Sequence, residues 1–426
     1  MKYVGYSLLI VFSLVITLAI IEIVIRLNPG LTPNWYKTIY PPNAIEVFYP
    51  GTLAKTPIYG VPVPYNLGPK KVSQKDTVPS DLVKKGLLDV SQNPDLSKYS
   101  EIVYRIDKNG FMNPHDYAEP DIVFIGDSFS VAASTIQPKG LLLQLEEITG
   151  QNILSIAVPA IGPQREEWLL NNIALPLKPK AIIWFFFAGN DLYEAKRLDN
   201  YKKSAIQNYN QIFDIPAVPR IITLDLISKY FDKDVSSIKM KKNKQKNYLP
   251  GLQLSKGDKK ELLWFLPKYL KRLSKDKTFL YNHKGWKITK EVLLRVSETL
   301  NNDDIKFLVV YVPSKPEVYL PYIDKDIILL QDYYTYPRKI RHNERLKLSA
   351  DSKWQELLKN RNNLEELMKE FCDLEQIPFI TVRPQLEELA MKGELGFLSA
   401  DTHWNEIGQE SAAKPIANWI NVNLKN

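Results

Sequence analysis

The stretch DIVFIGDSFS (121–130) sets a short apolar run, Ile122 to Ile125, against an abrupt stop at Gly126, Asp127 and Ser128. Within the run apolar and polar residues do not alternate. A strand that is apolar on both faces is buried on both, which marks a parallel sheet covered by helices. Further runs of this kind are NILSIAVP (152–159), AIIWFFFAGND (181–191), IKFLVVYVPS (305–314) and IPFITV (377–382). Between them, KGLLLQLEEITG (139–150) and NNLEELMKEFCDLEQ (362–376) carry apolar residues at helical spacing. The expected fold is α/β: an open, doubly wound, three-layer α/β/α arrangement on a parallel sheet of about five strands.

Upstream, 28–118 is rich in Pro, Tyr and Asn and reads as an irregular juxtamembrane segment with short β pieces. One piece, EIVYRIDKNGFMN (101–113), reads as a strand, a turn at 108–110 and the start of another strand. Residues 199–304 far exceed a normal crossover and are expected to form a basic helical insertion, a lid or a surface for a protein partner. It contains KMKKNKQKN (239–247) and ELLWFLPKYLKRL (261–273) and ends in the helix KITKEVLLRVSETLNN (287–302). The α/β domain is thus expected in two parts, 119–198 and 305–426. Residues 1–27 include YVGYSLLIVFSLVITLAII (3–21), free of charge and followed by no cleavage site, which predicts an uncleaved single-pass transmembrane helix. Lys2 on one side and Arg26 and Lys37 on the other leave its orientation undecided.

With 45% hydrophobic residues among 426, the chain can bury one large core or two, which excludes global disorder. The net charge of +8 suits an anionic partner, yet much of the excess lies in 239–247, where interleaved Asn and Gln point to a solvated insertion. No zinc-finger spacing or RNA signature occurs, so no nucleic acid is expected. The single cysteine, Cys372, excludes an intramolecular disulfide and, in its helical context, reads as a buried thiol. His115, His283 and His342 lie in polar stretches and read as solvated. No His-Glu-x-x-His and no glycine-rich phosphate loop occurs, so neither metal nor cofactor is expected.

In an open parallel sheet, ligands bind beyond the carboxyl ends of the strands. Ser128 follows the first run, the small-residue turn VPAIGP (158–163) the second, and Asn190 with Asp191 the third. Near the C-terminus, DTHWNEIG (401–408) places Asp401 two residues before His403. A serine hydroxyl needs a base, histidine suits that task near neutrality, and a carboxylate holds the imidazole in the useful tautomer. The Asn190 amide and backbone N–H groups can serve the oxyanion that attack creates.

These segments resemble the SGNH hydrolases, or GDSL-type esterases and lipases. Gly126, Asp127 and Ser128 match the first block; Asp401 and His403, with NEIGQESAAKPIANWI (405–420) behind them, match the last. Asn190 and Asp191 match the third block, where Ala188 replaces its glycine; in the second, Ala160 stands at the glycine position and Gly162 two residues later. The resemblance implies a flavodoxin-like sheet and makes Ser128 the nucleophile, His403 the base and Asp401 its orienting partner. It assigns the oxyanion hole to Ser128, Ala160 and Asn190, with Gly162 as substitute for Ala160. VPSKPEVY (312–319) looks like a segment of alginate-type O-acetyltransferases, in which Lys315 would meet an acidic sugar or, equally, be a solvated turn residue. The implied function is a membrane-anchored, extracytoplasmic serine esterase acting on O-acyl, chiefly O-acetyl, esters of envelope or exported carbohydrate. The alternatives are a polysaccharide O-acetyltransferase with the same triad and, in another class, a non-catalytic carbohydrate-binding or scaffold protein.

Overall fold

The computed structural model describes residues 2–27, 70–74, 82, 85–88, 102–107, 111, 113–130, 140–157, 161–200, 248–336 and 350–424. Contacts divide the chain into two units, 1–60 with 201–246, and 61–200 with 247–426. In the first unit the described element is helix α1, Lys2–Leu27. Among the described residues no helix is long and apolar enough to cross a membrane. The expected transmembrane anchor is corrected accordingly: Lys2–Leu27 is a helix, but no helix among the described residues is one that crosses a membrane. With it go the membrane as partner, the single-pass extracytoplasmic placement, and the membrane-anchored esterase or O-acetyltransferase of envelope carbohydrate, which had that placement as its premise.

In the second unit, β1 (Lys70–Gln74) pairs antiparallel with β2 (Ile102–Ile106). The main sheet has five parallel strands: β3 (Ile122–Ile125), β4 (Ile153–Ser155), β5 (Ala181–Phe187), β8 (Lys306–Val312) and β9 (Phe379–Thr381). All five runs read from the sequence are strands of this sheet. Their order, β4-β3-β5-β8-β9, is the flavodoxin-like 2-1-3-4-5 pattern. Side chains alternate between two buried faces. Ile122, Phe124, Ile183, Phe185, Phe187 and Val310 enter one core, packed by α2 (Leu141–Thr149) and the C-terminal helix Glu406–Leu424. Val123, Ile125, Ile182, Trp184, Phe186 and Val309 enter the other, packed by α3 (Pro163–Leu169), α4 (Lys284–Asn302) and α5 (Asn363–Leu374). Burial on both faces is the reason the runs needed no alternation.

The described part of the insertion is not purely helical. It opens with an antiparallel hairpin, β6 (Leu252–Lys256) and β7 (Lys259–Leu263), turning at Gly257 with φ 58°. Within ELLWFLPKYLKRL (261–273), part of the segment expected to be a helical insertion, helix begins only at Pro267, because 261–263 belong to β7 and proline supplies the first helical position. The basic run 239–247 lies outside the described residues. His283 is buried rather than solvated: its Nδ1 accepts the Gly285 N–H at 3.1 Å at the start of α4, and burial pushes its pKa down to about 4. His115 is exposed, His342 lies outside the described residues, and Cys372 is buried and free, its thiol pushed up to about 12.

Candidate active site

The sheet order reverses beside β3, and β3 and β5 deliver their carboxyl ends to the crevice this creates. Gly126, directly after β3, has φ 149°, and a Cβ there would lie 2.9 Å from both the Phe185 carbonyl oxygen and Ser130 Oγ. Only glycine fits that turn. Asp127 Oδ1 accepts the Phe129 N–H at 3.0 Å, and Ser130 Oγ donates to the Asp127 carbonyl at 2.9 Å. The turn so knitted presents Ser128 at the strand exit.

His403, from the far end of the chain, meets it there. Its Nε2 lies 2.7 Å from Ser128 Oγ, and its Nδ1 lies 2.5 Å from Asp401 Oδ1. The same Asp401 oxygen accepts the His403 backbone N–H at 2.9 Å, so one carboxylate orients both the ring and the chain that carries it. Phe129 packs against the His403 ring with centroids 5.3 Å apart, against Trp404 at 4.9 Å and against Phe187 at 4.3 Å. This aromatic wall packs along one side of the imidazole. The arrangement can pass a proton from Ser128 Oγ to Nε2 while Nδ1–H stays on the carboxylate.

The loop bearing Asp401 and His403 is closed by Leu398 N–H on the His403 carbonyl (3.0 Å) and by Asn405 N–H on the Gly396 carbonyl (3.1 Å). Lys315, from the short helix Lys315–Tyr319, reaches this loop and is only 1% exposed. Its Nζ donates to the carbonyls of Leu398 (2.6 Å), Ser399 (2.6 Å) and Asp401 (3.2 Å). Lys315 is thus neither a solvated turn residue nor a group offered to a sugar; it clamps the loop. From the insertion, the Trp264 N–H adds a bond to the Ser399 carbonyl at 2.9 Å.

Asn190 stands beyond β5, its carbonyl accepting the N–H groups of Tyr193 and Glu194 at 2.8 Å, so it also starts the helix over 191–200. Its side chain hydrogen-bonds the Asp127 carboxyl, and its Oδ1 is buried without a partner. An amide has two hydrogens, and one satisfies Asp127. Asp191 Oδ2 accepts the Phe187 N–H at 2.7 Å and holds the turn. Ala160 lies outside the described residues. Gly162 has φ −143°, and its carbonyl accepts Arg165 N–H (2.9 Å) and Glu166 N–H (3.2 Å) at the start of α3. A Cβ on Gly162 would lie 2.9 Å from Glu194 Cβ, so close packing on the 191–200 helix explains the glycine.

Beneath this site the sequence reading missed a cluster of buried carboxyls: Asp127, Glu166 and Asp191. Burial pushes Asp127 up to about 6, against the opposing pull of the Phe129 N–H, His403 and the Asn190 amide. Burial first, and then the Asp127 carboxyl, holds Glu166 well above its usual range; Asp191 is raised likewise by burial, Glu166 and Asp127. Glu166 sits in a helix whose polar spacing gave no sign that this position points inward. Among the described residues no group of His, Cys, Asp or Glu is placed to hold a metal ion.

No family model matches the chain, and no curated protein matches it. Among solved structures, it is similar to a phospholipase A1 from Streptomyces albidoflavus at 10% identity and TM-score 0.36, over 71% of this chain and 99% of that one. An extracellular lipase from Streptomyces rimosus gives 11% and 0.35, over 70% and 99%. An acetyl xylan esterase gives 10% and 0.34, over 70% and 98%. Overlaps this loose leave the reading of the site to its side-chain geometry.

Proposed function

We propose that this chain is a serine hydrolase of carboxylic esters, with Ser128 as nucleophile, His403 as general base and then acid, and Asp401 as the group that orients His403. The observation that carries the reading is the continuous hydrogen-bonded path Ser128 Oγ, His403 Nε2, His403 Nδ1, Asp401 Oδ1, at 2.7 and 2.5 Å. Ser128 Oγ attacks the acyl carbonyl as its proton passes to Nε2. The tetrahedral oxyanion is met by the Ser128 N–H, an Asn190 amide hydrogen and the N–H of Ala160 or Gly162. His403 then protonates the departing alcohol, and an acyl-Ser128 ester remains. Water, activated by the same imidazole, releases the acid; an alcohol in its place would receive the acyl group.

A fluorophosphonate probe and p-nitrophenyl acetate test this. The folded wild-type chain is expected to be labelled at Ser128 and to hydrolyse the ester. Ser128→Ala abolishes labelling and, like His403→Ala, lowers kcat by about 10³-fold or more. A folded wild-type chain that is neither labelled nor active overturns the proposal. Adding an alcohol acceptor and measuring free acid against transferred acyl group separates hydrolysis from transfer.

A further inference from the structure

The loop that carries His403 is organised around one antiparallel bridge, Phe397 to Trp404. On either side of it, Leu398 N–H bonds the His403 carbonyl at 3.0 Å and Asn405 N–H bonds the Gly396 carbonyl at 3.1 Å. Limb 396–398 is therefore the template against which the backbone of His403 is set. Asp401 Oδ1 fixes the same residue from the other side, accepting its N–H at 2.9 Å. The imidazole is placed only as firmly as this limb is held.

The limb in turn meets Tyr319, one helical turn beyond Lys315 on the helix Lys315–Tyr319. The Tyr319 hydroxyl oxygen accepts the Gly396 N–H at 2.6 Å, and the Phe397 N–H hydrogen-bonds the same oxygen. Two consecutive N–H groups thus converge on one phenol, which is fully buried. Burial raises its pKa, so the phenol stays neutral. Its ring stands edge-on to Phe397, with centroids 5.9 Å apart. The helix is seated on the central sheet: Glu317 accepts the hydroxyl of Tyr311, in β8, at 2.7 Å and the Ser314 N–H at 2.6 Å. Lys315 grips carbonyls of 398–401, whereas Tyr319 grips N–H groups of 396–397. Removing the hydroxyl would take an acceptor from two N–H groups at once while leaving the ring in place.

We propose that Tyr319 is a positioning residue for the general base: through Gly396 and Phe397 it fixes the limb that aligns His403 with Ser128. The inference rests on the reading of Ser128, His403 and Asp401 as a triad. It gives β8, which contributes no reacting group, a part in the site through the helix that follows it. Tyr319 acts through the loop, so its loss is felt in the alignment of the imidazole and leaves the binding of ester largely intact.

Steady-state hydrolysis of p-nitrophenyl acetate by the full chain tests this, with Tyr319→Phe beside Tyr117→Phe. The second variant removes another phenol, bonded to Glu146 at 2.8 Å, away from the loop. Tyr319→Phe is expected to lower kcat by about tenfold with KM within about twofold of wild type, and Tyr117→Phe to leave both unchanged. Proton NMR gives a readout independent of turnover. The far-downfield line of the His403 Nδ1 proton is expected to shift and broaden in Tyr319→Phe and to stay in place in Tyr117→Phe. Should Tyr319→Phe fail to fold, hydrogen exchange of wild type decides: peptides covering 396–397 are expected to exchange about tenfold or more slowly than the exposed hairpin turn at 257–258. A folded Tyr319→Phe with unchanged kcat and an unchanged downfield line, an equal loss in Tyr117→Phe, or exchange at 396–397 as fast as at 257–258 each overturns the proposal. An inactive, unlabelled wild type overturns the hydrolase reading instead, which keeps the two failures apart.

Discussion

Lys315 shows how much a single buried cation organises here. Three carbonyls of the loop that carries Asp401 converge on one ammonium group, so removing it takes a donor from each; Ser399 keeps the Trp264 N–H at 2.9 Å and Leu398 the Asp401 N–H at 3.3 Å. Lys315→Met is expected to cost about 1–3 kcal/mol of stability and to lower kcat more than it raises KM, because the loop would hold His403 less firmly. Thermal unfolding beside steady-state kinetics checks both. Gly126 is the other position without substitutes. Gly126→Ala must accommodate φ 149° and a 2.9 Å approach to the Phe185 carbonyl, and is expected to destabilise by about 2 kcal/mol or more. Asp401→Asn keeps the size of the side chain but disturbs the His403 tautomer; a fall in kcat of about 10³-fold with little change in unfolding midpoint is the expected outcome.

At the scale of elements, the site depends on how the C-terminal helix meets the loop before it. A Cβ on Gly408 would lie 1.8 Å from the Gly396 carbonyl oxygen, so the helix Glu406–Leu424 and the loop touch backbone to backbone. Asn405 N–H bonds the Gly396 carbonyl, and Gln409 Oε1 reaches the Leu141 N–H at the start of α2 at 2.8 Å. Gly408→Ala is expected to push the loop away, lengthen the Ser128 to His403 contact and reduce fluorophosphonate labelling at Ser128, while Ala412→Gly, on the same helix, leaves labelling close to wild type. Comparing labelling rates of the two variants measures this. The hairpin β6–β7 leads into Trp264, whose N–H holds Ser399, so the insertion contributes to the loop by a backbone contact.

For the folded unit as a whole, the buried carboxyls Asp127, Glu166 and Asp191 set a pH dependence. Each has a folded pKa above its ordinary value. Below about pH 4 both folded and unfolded chains keep these protons, and the contribution to stability is complete. As pH rises the unfolded chain loses its protons first, so stability falls; for Asp127 the fall lies between its ordinary value and about 6. Glu166→Gln keeps the shape of the protonated acid and cannot ionise. Its unfolding midpoint is therefore expected to match wild type near pH 4 and to exceed it at pH 8. Unfolding curves at the two pH values decide this.

The sequence alone determined the sheet, because strands buried on both faces must be apolar throughout, and that signature survives in a linear reading of 122–125, 181–187 and 306–312. It also marked Ser128, Asp401 and His403, whose residue types and spacing carry their chemistry locally. The long apolar N-terminal stretch was legible as a helix, but a membrane role does not follow from helicity. Only the tertiary structure decided what depends on distant partners: that Lys315 is enclosed by carbonyls more than eighty residues away, that Glu166 points inward toward two other acids, and that His283 is buried. A side chain's charge and reach are written in its residue type. Its surroundings are fixed only when the chain closes on itself.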